Sequence, residues 1–253
     1  GIPGAHMYDF NDALHARRDE LRFIHSRHEQ GAAYMAYGYA KSTGRPGVFT
    51  VVPGPGVLNA GAAICTAYGA NAPVMCVTGN IMTHLIGQGR GQLHELPDQL
   101  ATLRGLTRAA ERVDHASEVA PVMDRLFRRM TSGRQGPVAV EVPWDVFGQR
   151  ASAEEFTTTI SAPAPRAEEA DLERAAQMIA LAKNPLIMVG GGAVDAAEQV
   201  MALARHLQAP VTAHRSGKGI APDDDPLAMN SVAAFDYWKG CDLLIGIGSR
   251  LEL

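Results

Sequence analysis

His25, His28 and Glu29 stand close together in "FIHSRHEQGAAYMAYGYA". Imidazoles and a carboxylate at this spacing suit a metal site, a proton relay or a helix cap. A zinc protease needs H-E-x-x-H or H-x-x-E-H on one helix face. The order here is H-x-x-H-E and position 32 is Ala32, so neither pattern is met. Gly217-Lys218-Gly219 lacks the Ser or Thr after the lysine that a phosphate loop requires. No G-x-S-x-G elbow supplies a hydrolase nucleophile. No C-x-x-C pair suggests zinc or an iron–sulfur cluster, so no metal ligands are expected in this chain.

Glu29 is the stronger candidate. It opens a run lined with Ala32, Ala33, Ala36 and Gly38, small residues that let a backbone or a flat ring approach closely. A carboxylate at a helix start can simply complement the helix dipole, worth about 0.3–1 kcal/mol. It can also handle a proton when it lies desolvated in a crevice at a sheet edge. Three glycine turns accompany it. Gly54-Pro55-Gly56 leads into a helix, and Gly190-Gly191-Gly192 and Gly246-Ile247-Gly248 each follow a strand. The last two either hold a nucleotide or are tight βα turns; the first of them carries Asp195 where a dinucleotide fingerprint has its last glycine.

The positioning elements follow from alternating patterns. Leu21–His25 reads as a short strand, and His28–Ser42 as a helix closed by Gly44 and Pro46. Gly47–Val52 is an apolar strand, Val57–Tyr68 a helix of small residues and Pro73–Thr78 a strand. Ala116–Thr131 is helical and leads to the strand "GPVAVEVP". Gly148 to Glu168 is rich in Ala, Pro, Ser and Thr without periodicity, as a linker would be. The pattern then restarts. Helices over Leu172–Ala182, Ala196–Leu207 and Phe235–Lys239 alternate with strands at Pro185–Val189, "APVTA" and Asp242–Ile247. Alternation of this kind predicts α/β architecture with two doubly wound parallel-sheet domains, 1–147 and 169–253, joined by a linker over 148–168. The opening Gly-Pro turn and the closing strand suggest that the first domain lacks its first strand and the second is truncated.

Composition narrows the function classes. A net charge of -4 gives no electrostatic footprint for nucleic acid. No apolar run is long enough for a membrane span, and no signal peptide opens the chain. Cys65, Cys76 and Cys241 lie far apart in apolar context and read as reduced, buried and structural, which fits a cytoplasmic location.

"RHEQGAAYMAYGYAKSTGRPGV", followed by "PGPGVLNA", resembles the pyrimidine-binding domain of thiamine-diphosphate enzymes. The group is that of acetolactate synthases and 2-oxo-acid decarboxylases. "NPLIMVGGGAV", "APVTAHRSGKG" and "CDLLIGIGSRLEL" resemble that family's central domain. The resemblance implies that Glu29 hydrogen-bonds N1′ of the aminopyrimidine and favours the imino tautomer. In that form the 4′-nitrogen takes the proton from C2 of the thiazolium, which then attacks a 2-oxo acid and serves as the electron sink for decarboxylation.

It further implies cofactor contacts from Pro3, Gly4, Gly54, Pro55, Gly56 and Asn59, the turn at 54–56 being otherwise a structural β–α turn. His28 faces the active site or caps its helix. "GRGQLHELPDQ" departs from the family's Phe-Gln-Glu-like triplet at Leu93-His94-Glu95, so His94 contacts substrate or is a solvated loop residue. Magnesium and the diphosphate belong to a third domain that this sequence lacks, and FAD or ADP is a candidate ligand of the central domain. The implied assembly is a homodimer or homotetramer with its active site between subunits. The alternative is a non-catalytic subunit or nucleotide-binding module.

Overall fold

The computed structural model describes residues 1–152 and 166–251. It divides into two compact units, Gly1–Ala164 and Pro165–Leu253. The first unit runs α1 (Tyr8–Ala16), α2 (Glu29–Thr43), β1 (Gly47–Val51), α3 (Pro55–Gly69), β2 (Val74–Asn80), α4 (Gln99–Leu106), β3 (Ala109–Arg112), α5 (Val119–Thr131), β4 (Val138–Pro143) and α6 (Trp144–Phe147). Its four strands are parallel in the order β1-β2-β4-β3. β2 and β4 lie inside the sheet and are buried along their whole length, which explains their unbroken apolar runs.

Each face of this sheet has its own core. Alanines of α2 and α3 pack with Phe49, Val51 and Cys76 on one side. On the other, Val122, Leu126 and Met130 of α5 recur every fourth residue and meet Val138 and Val140. Helices on both faces of a parallel sheet make the unit doubly wound, as the alternation predicts.

The second unit contains α7 (Glu169–Leu181), β5 (Pro185–Val189), α8 (Ala197–Leu207), β6 (Val211–Ala213), β7 (Ala228–Met229), α9 (Ser231–Tyr237) and β8 (Leu243–Ile247). Its strands are also all parallel, in the order β7-β6-β5-β8. Val200, Met201 and Ala204 of α8 close its core over Ile187, Val189 and Val211.

Several expectations change. Leu21–His25 is not a strand: the backbone of Ile24 and Ser26 pairs with Gly1 at the chain start, and no ladder forms. The short α1, α4, β3 and β7 carry no strong periodicity and were not anticipated. Cys65 is exposed rather than buried, because α3 turns positions 60, 63, 64 and 67 inward and 65 falls off that face. Cys76 is buried, and burial pushes its thiol up to about 12. Most of the linker expected over 148–168 lies outside the described residues.

Candidate functional site

In a parallel α/β sheet the helix that precedes or follows a strand starts or ends at a set edge, and helix N-termini gather at the carboxyl ends of the strands. The N-termini of α2 and α3 therefore lie together. His28 is the N-cap of α2, with extended backbone, and its Nδ1 accepts from Gln30 N–H at 3.1 Å. Of the two roles considered for His28, capping is the one its geometry displays.

Glu29 is the first residue of α2 and is half-buried. Asn59, one turn into α3, donates from Nδ2 to Glu29 Oε2 at 3.0 Å. Among the described residues, Oε1 has no hydrogen-bond partner. Of the two uses read for the small residues after Glu29, the structure displays close approach of a backbone. Ala32, Ala33, Ala36 and Ala40 are buried against Ala60, Ala63 and Ala67. They bring α2 and α3 close enough for Asn59 to reach the carboxylate.

The Gly54-Pro55-Gly56 turn is shaped by a neighbouring loop. Gly54 has φ 59° and ψ -112°, and a Cβ there would stand 2.4 Å from the His94 carbonyl oxygen. Only glycine tolerates both the dihedrals and the approach. Its N–H donates to Gln99 Oε1 at 2.7 Å. Pro55 opens α3, where a missing N–H costs nothing.

Behind this turn lies a network that sequence reasoning missed. Gln99 Nε2 donates to the Gly79 carbonyl at 2.8 Å and to Glu141 Oε2 at 2.9 Å. Glu141 is fully buried in β4, and among the described residues its Oε1 has no hydrogen-bond partner; Arg112 Nη1 lies 3.9 Å away. Burial holds the Glu141 carboxyl above the usual carboxylate range, while Asn80, Gln99 and Arg112 pull it down. The available signal was the lone acid in "VAVEVP", a strand with no other polar residue.

His94 is not a solvated loop histidine. It is half-buried with φ 66°, and its Nδ1 lies 3.3 Å from Nδ1 of His6. His6 is 5% exposed and sits edge-on to Trp144, ring centroids 4.9 Å apart. Nothing in the sequence pairs positions 6 and 94. Gly4 packs against Val52 just beyond β1. Pro3 lines a cleft of about 400 Å³ with residues of α1 and of the segment Leu21–His25, and neither Glu29 nor Asn59 borders that cleft.

In the second unit, the glycine turns after β5 and β8 pack on each other. Gly190 N–H donates to Ile247 O and Gly192 N–H to Gly248 O, both at 3.0 Å. A Cβ on Gly190 would meet Gly248 O at 2.4 Å. Close backbone approach accounts for these glycines. Among the described residues no group of three or more His, Cys, Asp or Glu is placed to hold a metal ion, and no helix is long and apolar enough to cross a membrane.

Residues 1–102 match the thiamine pyrophosphate enzyme N-terminal TPP binding domain, and residues 172–253 match the central domain of the same enzymes. The chain belongs to the thiamine pyrophosphate enzyme family. Among similar proteins is the "Probable 2-ketoarginine decarboxylase AruI" of Pseudomonas aeruginosa, 33% identical over 99% of this chain and 45% of that protein. Acetolactate synthase isozyme 1 large subunit of Escherichia coli is 35% identical over 100% of this chain and 45% of its own length. The "Probable acetolactate synthase large subunit" of Methanocaldococcus jannaschii is 34% identical over 100% of this chain and 44% of that protein. The chain thus spans about half the length of the curated relatives it matches.

Proposed function

We propose that this chain is the pyrimidine-binding and central part of a thiamine-diphosphate-dependent decarboxylase or carboligase acting on a 2-oxo acid, acetolactate-synthase-like. The observation that carries the reading is the Asn59–Glu29 hydrogen bond, which fixes one carboxylate oxygen and leaves Oε1 open. A carboxyl group held in this way, at a sheet edge flanked by two helix N-termini, fits the ring nitrogen of an aminopyrimidine, with one proton shared between the two. Thiamine diphosphate supplies the nucleophilic carbon and the electron sink for cleavage next to the carbonyl. Glu29 accepts and returns the proton that this chemistry needs at the pyrimidine ring. Asn59 orients the carboxylate, and the Gly54 turn sets the start of the helix that carries Asn59. Pro3, Gly4, Pro55 and Gly56 remain candidates for backbone contact with the cofactor.

The domain division proposed is a pyrimidine-binding domain over 1–147, a linker over 148–168 and a central domain over 169–253. Magnesium and the diphosphate are assigned to a further domain. Two copies would complete each other's sites in a homodimer or homotetramer. Three unpaired cysteines suit a reducing cytoplasm. The test uses the full-length enzyme. Wild type should decarboxylate a 2-oxo acid only when supplied with thiamine diphosphate and magnesium, and Glu29→Gln should bind the cofactor yet turn over far more slowly. Tight binding of ADP or FAD without any affinity for thiamine diphosphate would instead support the nucleotide-binding module.

A further inference from the structure

Gln99 opens α4, is 2% exposed and has every polar atom of its side chain engaged. Its Oε1 accepts from Gly54 N–H at 2.7 Å. Its Nε2 donates to the Gly79 carbonyl at 2.8 Å and to Glu141 Oε2 at 2.9 Å. A primary amide has two N–H donors, and both are taken. The amide cannot be turned over. Reversed, its oxygen would face the Gly79 carbonyl oxygen and its nitrogen would face Gly54 N–H, and neither pair can bond. Two neighbouring strands, through Gly79 of β2 and Glu141 of β4, thus hold the amide with its oxygen toward the Gly54 turn.

From Gly54 consecutive bonds lead to the candidate site. Gly54 is the N-cap of α3, and its carbonyl accepts from Leu58 N–H at 3.0 Å. The next residue is Asn59, whose Nδ2 donates to Glu29 Oε2 at 3.0 Å. Asparagine has two side-chain torsions, so the reach of its amide follows from where its backbone stands. A slip of the helix start along its axis moves Asn59 by the same amount. Roughly half an ångström is enough to break a hydrogen bond of ordinary length.

We propose that Gln99 is a positioning residue for the Glu29 carboxylate: it fixes the start of α3 and thereby the approach of Asn59 to Glu29. The inference rests on the thiamine-diphosphate reading above, in which Glu29 handles the pyrimidine proton. The bonds of Gln99 go to Gly54, Gly79 and Glu141, so it acts through the backbone of α3 and not by touching the cofactor.

The test is made in the full-length enzyme, with turnover taken per folded protein and the folded fraction read by circular dichroism. Asn59→Ala sets the limit, because a residue that works through Asn59 cannot matter more than Asn59 itself. Gln99→Leu should lower kcat by about tenfold, within the scale of one hydrogen bond to a charged group, and leave KM for the 2-oxo acid unchanged. The double variant should turn over as Asn59→Ala does. Calorimetric titration with thiamine diphosphate and magnesium, which needs no turnover, should follow the same rule: the double variant binds as Asn59→Ala does. Gln99→Glu keeps an acceptor for Gly54 N–H and shares a proton with Glu141, in the field of Asp98 and Arg112. It should retain most of the wild-type kcat in weakly acidic solution and lose it, relative to wild type, as rising pH ionises both carboxyls. If Gln99→Leu does not fold, Glu141→Leu, which removes one of the two groups that orient the amide, should lower kcat, and Glu141→Gln should recover most of it. Additive losses from Gln99→Leu and Asn59→Ala, wild-type kcat in folded Gln99→Leu or in Glu141→Leu, or a relative kcat of Gln99→Glu that ignores pH would overturn the inference while leaving Glu29 chemistry intact. Absence of cofactor-dependent turnover in wild type overturns the functional reading, and this inference with it.

Discussion

Replacing Gln99 by Leu removes a buried amide with little change in volume, so the loss is one of hydrogen bonding rather than packing. Gln99 is 2% exposed and joins three segments, the Gly54 turn, the end of β2 and β4. The variant leaves Gly54 N–H without its acceptor and strips Glu141 Oε2 of its amide donor. An orphaned buried polar group costs about 1–3 kcal/mol, so two such groups cost about 2–6 kcal/mol. That is a large share of the 5–15 kcal/mol that typically holds a domain together. With a urea slope of about 2 kcal/mol per M, the unfolding midpoint should fall by about 1–3 M. Trp144 fluorescence in a Trp238→Phe background would follow the first unit alone.

The loss should also depend on pH. Glu141 has a raised folded value, so its favourable contribution is fully present below the ordinary carboxylate pKa and is lost as pH rises through the folded one. Without its donor the carboxylate is held still higher, and the deficit of the Leu variant should widen from weakly acidic to alkaline solution. A midpoint shift below about 0.3 M, equal at both ends of that range, would refute the reasoning.

Other expectations can be checked beside it. Glu141→Gln keeps an acceptor for Gln99 and removes the buried charge, so the fall in stability with rising pH above the ordinary carboxylate value should flatten; denaturation at several pH values reads it. Gly54→Ala places a methyl 2.4 Å from the His94 carbonyl at φ 59°, and thermal unfolding should show a loss of at least about 1–2 kcal/mol. Glu29→Gln in the full-length enzyme should slow turnover by about 10²–10⁴, the scale of a proton-transfer group, with an unchanged circular dichroism spectrum. Asn59→Ala should slow it by about tenfold to a hundredfold, since it removes one hydrogen bond to a charged group but not the carboxylate; steady-state kinetics would rank the two.

The sequence by itself determined the class of fold and the place to look. Strand and helix periods differ, so β1, β2, β4 and β5 and their helices could be read from patterns within single segments. Glu29 and the Gly54 turn were visible because each stands out from its own neighbours by type, and Asn59 because the segment that carries it resembles the family's. Only the tertiary structure decided which of these meet. That Asn59 bonds Glu29, that the alanines of α2 serve packing against α3, and that Gly54 is required by the His94 carbonyl are facts about segments brought together by the sheet. The two features with no local signature, the His6–His94 pair and the Gln99–Glu141 network, join residues 88 and 42 positions apart. Periodicity reports which face of an element is apolar. It carries no information about which polar atom on one element will find its partner on another, and that choice is made by the packing of the folded chain.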